Sequence, residues 1–256
     1  MPDTDLVEFE WSYTPPELFE TRSDIVCAGR TFVIDSGKVL VRVEVVGGQG
    51  TWWALANELH QVLHTQFLAG QVLSHERFTL SKPSFARIRL DGGRDVFVTL
   101  EEGARLTART GTVDVVHTDA AGGTIHDSRK ERIERRRSFA QQAAAHVGEP
   151  VVDSVLRSYG AAVNDPENEL VHLYEVRDAL ANRFGGEGLA RAAISISEAA
   201  WSRLGTLANG EPFFQGRHRG KHPGQLRYAT ERELEEARRI ARAMIDGYFR
   251  YLASSD

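Results

Sequence analysis

Thr230–Leu252, TERELEEARRIARAMIDGYFRYL, sets the character of the C-terminal half. Thr230 and Glu233 have the spacing of a capping box, in which each side chain satisfies the other's backbone N–H. Leu234, Ala237, Ala241, Met244, Ile245, Tyr248 and Leu252 then recur at helical spacing, so one apolar face needs other helices to cover it. Reading backwards, Val151–Val163, Glu169–Phe184 and Ser197–Leu207 show the same period. Two of these runs end at helix-stopping residues, Gly185 with Gly186 and Asn209 with Gly210. Gly188–Ala193 adds a short helical piece. The expectation is a bundle of about four helices.

Before Gly122 and Gly123 the chain is written in a different period. Thr31–Ile34, Lys38–Val46, Ala86–Leu90, Asp95–Leu100 and Arg105–His117 are β-branched or alternating runs, and the Asp91-Gly92-Gly93 turn reads as a hairpin. One helix interrupts them, with Trp53, Leu55, Leu59, Leu63 and Phe67 spaced over Trp52–Leu68. The class is therefore α+β. A mainly antiparallel domain is expected over 1–123, a charged connecting helix over 124–149 and an all-α bundle over 150–256. The arginines between Arg129 and Arg137 read as the solvated face of that connecting helix.

A formal net charge of −5 excludes a uniformly basic coat, so any nucleic-acid contact must be local. The acidic start lacks a signal-peptide pattern and no run reaches the roughly 18 apolar residues of a membrane helix, which predicts a cytoplasmic protein. Cys27 is the sole cysteine and reads as a small core residue.

Several constellations could carry chemistry. His60 and His64 stand four apart, with Glu58, His75 and Glu76 nearby, but the order is not HExxH and no third ligand has a fixed spacing. The prevailing expectation there is a partly exposed helix surface. His117 lies between Asp114 and Asp119 without a nucleophile elbow, which reads as a polar strand end. Gly47–Gly50 and Gly185–Gly188 lack the lysine and spacing of a phosphate cradle.

The segment Gly216–Arg227, GRHRGKHPGQLR, is different: it holds Arg217, His218, Arg219, Lys221, His222 and Arg227 and no acid. It lies in the connection Gly210–Ala229, longer than most loops between helices, and such loops are commonly functional or disordered. Arg217 is followed by four residues and then His222. With LVHLYEVRDALANRFGG and ISEAAWSRLGTLANGEPFFQGRHRG around it, the region from about residue 150 to 253 resembles HEPN domains. These are helical bundles, many of them metal-independent ribonucleases of toxin and antiviral systems, whose motif is an arginine, four to six residues and a histidine.

The resemblance implies an RNA ligand, tRNA among the candidates, and no metal or cofactor. It implies that His222 is the general acid or base, that Arg217 clamps the phosphate and that His218 assists. An acidic residue on the second helix would hold Arg217, with Glu175 preferred over Asp178. Arg219, Lys221 and Arg227 would contact backbone phosphates. It further implies a homodimer through the bundle and a neutralising or defence partner. The competing expectation is a non-catalytic dimeric sensor whose basic loop binds phosphate or nucleic acid; a third is hydrolysis at a metal held by His60, His64 and His75.

Overall fold

A computed structural model of the chain describes residues 4–27, 29–46, 49–88, 93–97, 114–118, 124–221 and 223–254; the side chains of Thr4, Gln49, His117 and Thr118 lie outside the description. His222 and Asp119 are likewise outside it, as are most of the run Arg105–His117 and the turn at 89–92. The described chain is α+β and forms two compact units, residues 1–66 with 78–145, and residues 67–77 with 146–256.

The first unit is built on an antiparallel sheet. Its strands are β1 (Thr4–Thr14), β2 (Ser23–Cys27), β3 (Arg30–Asp35), β4 (Lys38–Val46), β5 (Thr79–Leu80), β6 (Ser84–Ile88) and β7 (Arg94–Phe97). They are ordered β2-β3-β4-β1-β6-β7, with β5 on the end of β1. β4 has the bounds its alternation predicts, and the hairpin between β6 and β7 pairs antiparallel.

The central strand, β1, is absent from the expected elements. Its alternation is nevertheless plain: Val7, Phe9, Trp11 and Tyr13 point into the core while Ser12 and Glu10 point away. It pairs with β4 on one side, Phe9 opposite Val41, and with β6 on the other, Phe9 opposite Phe85.

Helix α1 (Gln49–Ser74) is longer than expected; its residues up to Gln66 belong to this unit, where Trp52 meets Phe85 edge-on at 6.0 Å between centroids. A two-stranded ribbon, β8 (Val116–Thr118) with β9 (Thr124–Asp127), leads into α2 (Ser128–Ala145). Phe139, Ala140, Ala143 and Ala144 of α2 are buried.

The second unit is all-α. It comprises α3 (Pro150–Asn164), α4 (Glu169–Phe184), α5 (Glu187–Ala193), α6 (Glu198–Gly205) and α7 (Glu231–Ala253), joined by the last turns of α1. α4 has the predicted bounds and stops at Gly185 in the left-handed region, φ 72°. α7 carries the predicted capping box and packs against α4, burying Ile240, Gly247 and Phe249 beside the expected apolar face. Gly247 is a close approach: a β-carbon there would run into the carbonyl of Ile194. Among the described residues, no helix is long and apolar enough to cross a membrane.

Candidate nucleic-acid interface

The basic connection is ordered at its base by backbone pairing. Phe214 N–H donates to Arg227 O at 3.0 Å, Arg227 N–H donates to Pro212 O at 2.9 Å, and Ala229 N–H donates to the buried Gln215 Oε1 at 3.0 Å. Its start is fixed by α6. That helix widens after Gly205 into a π-turn, Thr206–Gly210, and Ala208 O receives the Arg217 N–H at 2.8 Å. A β-carbon at Gly216 would come within 3.0 Å of the same carbonyl, so the glycine lets the chain reach it.

Arg217 is thereby laid on one face of α4. Its guanidinium stacks on the Tyr174 ring, 4.4 Å from the centroid, and Nη1 reaches Asp178 Oδ2 at 3.4 Å. Arg177 approaches the same ring at 4.9 Å. It is buried, pairs with Glu187, lies 5.2 Å from the Trp201 ring centroid, and needs Gly205, where a β-carbon would collide with its Nη1. Tyr174, Arg177 and Asp178 share this face because they stand at i, i+3 and i+4.

Glu175, preferred from the sequence as the partner of Arg217, is one residue and about 100° further round the helix. It accepts instead from His172 Nδ1 at 3.3 Å. Burial raises the Asp178 carboxyl above its ordinary value, against the pull of Arg217 and Arg177. Of Arg217's five N–H donors, those on a single nitrogen are engaged among the described residues, and its side chain is 37% exposed.

The other cations of the loop divide. Arg219 Nη2 donates to Glu167 O at 3.0 Å and to Asn168 Oδ1, so it is positioned by neutral acceptors rather than by an ion pair. Lys221 and His218 are exposed, and among the described residues no hydrogen bond fixes the His218 ring. Arg227 is placed otherwise: it forms a bidentate pair with Glu233 at 2.8 and 3.0 Å and covers the Phe213 ring at 4.4 Å. Glu233, held mainly by that guanidinium and by the Thr230 cap, has its pKa lowered to about 2.

The remaining candidates resolve into structural roles. His60 Nδ1 accepts from Trp11 Nε1 at 3.1 Å, and the His60 and His64 rings stack at 6.2 Å. Among the described residues no three donors are placed to hold a metal ion. His75 contacts the Tyr159 hydroxyl at 3.3 Å and Glu169 at 3.6 Å, where Arg238 grips Glu169 at 2.6 and 3.0 Å. Burial, then Arg238 and Arg242, lowers the His75 pKa to about 3.

Asp114 pairs with Arg132 at 2.8 Å, while the His117 side chain lies outside the described residues. Cys27 is half-buried with its thiol toward Ala144 O at 3.3 Å, and burial raises its pKa. A cleft of about 660 Å³ on the first unit is lined by Arg22, Arg30 and Arg42, each paired with a carboxylate: Asp24, Glu58 and Glu8 respectively. The chain matches no family model, no curated protein and no solved structure.

Proposed function

We propose that the second unit is a metal-independent endoribonuclease that grips RNA at the Arg217–Lys221 loop, acting in the cytoplasm as a homodimeric component of a stress or defence response. The observation that supports this best is Arg217 itself. It is held by an aromatic face and a single 3.4 Å carboxylate contact, so most of its donors remain for phosphate. Exposed His218 and Lys221 flank it, with Arg219 already oriented by Glu167 and Asn168.

The chemistry needs little more than these groups. An imidazole takes the proton of the ribose 2′-hydroxyl, O2′ attacks phosphorus, and the P–O5′ bond breaks with a proton delivered to O5′. The products are a 2′,3′-cyclic phosphate and a 5′-hydroxyl. In this reading His222 and His218 exchange the protons, Arg217 bears the negative charge that grows on the phosphate, and Asp178 with Tyr174 holds Arg217. Binding without cleavage is the second reading, favoured by the unfixed His218 ring.

The test is cleavage of total RNA and of tRNA in EDTA by wild type, Arg217→Ala and His222→Ala. Expected are cyclic-phosphate ends from wild type and their loss in both variants. Salt-sensitive RNA binding without cleavage would leave the binding reading, and absence of both would overturn the proposal.

A further inference from the structure

The connection also carries two aromatic side chains, Phe214 and Tyr228, that face away from the core. Phe213 forms an isolated bridge with Arg227, and Phe214 begins the turn that follows, closed by Gly216 N–H donating to Phe213 O at 3.1 Å; Phe213 is 1% exposed and Phe214 38%. Across the bridge Tyr228 is 59% exposed, and the Phe214 and Tyr228 rings meet at 5.0 Å with an interplanar angle of 40°. A lone exposed apolar residue is ordinary. A pair of outward rings held in mutual contact on a basic loop is not required by any core.

The pair is also fixed in place. Phe214 N–H and the carbonyl of Arg227 bond across the bridge, and Ala229 is tied to Gln215. The Tyr228 hydroxyl reaches Glu167 Oε2 at 3.5 Å, and Arg219 bonds the backbone carbonyl of the same Glu167. Glu167 therefore brings the ring of Tyr228 and the guanidinium of Arg219 together.

From this juxtaposition we infer that Phe214 and Tyr228 form a stacking platform for an unpaired base, with Arg219 and Lys221 taking the flanking phosphates. The ligand class is then single-stranded RNA. Flat aromatic faces beside a cationic track bind single strands because every base offers a π-face, whereas in a duplex those faces are already stacked. An acidic peptide would offer the cations its charge but no succession of flat faces to the two rings, so the rings favour a strand of bases as occupant. The inference rests on the RNA reading above and narrows it to unpaired strands.

The experiment measures binding of the full chain to a 2′-O-methyl oligoribonucleotide, which lacks the nucleophile for cleavage. The comparison is with the same strand carrying one abasic position and with the corresponding duplex, at several salt concentrations. Wild type is expected to prefer the intact single strand. Phe214→Leu/Tyr228→Leu should lose roughly tenfold on that strand, with the salt slope kept. It should also lose the discrimination against the abasic strand, while Tyr228→Phe retains both. An unchanged thermal midpoint in the double variant separates loss of stacking from loss of fold. Equal binding of single strand and duplex by wild type, or wild-type affinity in the double variant, overturns the platform and leaves RNA binding standing. No RNA binding at all removes both.

Discussion

The arginines of α2 and those of the Gly210–Ala229 connection look alike in the sequence and behave differently in the structure. In α2, Arg132 engages Glu20 at 2.6 and 2.7 Å and Asp114 at 2.8 Å, while Arg136 donates to Leu18 O at 3.0 Å. The expectation that this is a solvated face is corrected for these two side chains, 24% and 18% exposed, though Arg129, Arg135 and Arg137 do remain exposed. The correction has a clear cause: Glu20, far away in sequence, supplies the carboxylate, and the guanidinium in turn lowers its pKa. In the connection, Arg219 and Lys221 form no ion pair with a carboxylate among the described residues, although Arg219 lies near enough to help lower the Asp165 pKa, and Arg217 meets one carboxylate at 3.4 Å. A cation becomes part of the scaffold when the fold brings it an acid, and remains available to a ligand when it does not.

Arg227 shows that the rule operates residue by residue. It sits in the same acid-free stretch, yet the first turn of α7 brings it Glu233. Its expected phosphate contact therefore competes with a bidentate ion pair.

Four measurements would break or sharpen this contrast. The largest effect belongs to His75, kept from becoming a cation by burial and by Arg238 and Arg242. Its folded pKa is lowered to about 3 from 6.5, so the unfolded chain binds the proton more readily. Stability should be full above pH 6.5 and decline as pH falls towards 3, by on the order of 3 kcal/mol. Urea melts across that range should show this slope in wild type and a flatter one in His75→Asn, chosen because Asn tolerates the positive φ of 54° at this position.

Next comes Arg132→Ala, which leaves Glu20 without its main partner and should cost about 2 kcal/mol by denaturant unfolding. RNA affinity should not change; a fall in affinity would make α2 part of the interface.

Glu233→Ala follows, at about 1 kcal/mol, since it removes the reciprocal cap of α7. Wild type should show an acid-dependent loss as pH drops below the usual carboxylate range towards about 2, and the variant should lack it. The variant also frees Arg227, so stronger and more salt-dependent RNA binding would mark it as a latent contact.

The smallest change in stability is expected for Lys221→Gln, within about 0.5 kcal/mol. The slope of log affinity against log salt for RNA should nevertheless fall by about 1. An unchanged slope would place Lys221 outside the track.

Much of the second unit was legible because its signals are local. The bounds of α4 and the capping box of α7 follow from residues within a turn of each other, and Tyr174, Arg177 and Asp178 lie at i, i+3 and i+4. Helical phase alone favours Asp178 over Glu175 once Tyr174 is taken as the centre of the face. What the spacing does not carry is that the π-turn at Thr206–Gly210 delivers Arg217 to that ring, because this depends on Ala208 O and Gly216 meeting across the loop. β1 is the converse case. Its alternation was present in the sequence, and its central place comes from pairing with β4 and β6, which start 34 and 80 residues after it.

By itself, then, the sequence determined the α+β class, the switch of period near Gly122, the helices of the second unit and the cluster of cations before the last of them. Each of these follows from propensities, caps and periods that act over a few neighbouring residues. Only the tertiary structure decided which cations are neutralised, which acid meets Arg217 and which aromatic rings face outward. Those outcomes depend on groups brought together from distant parts of the chain, and a charge or a ring has no assigned partner until the backbone closes around it.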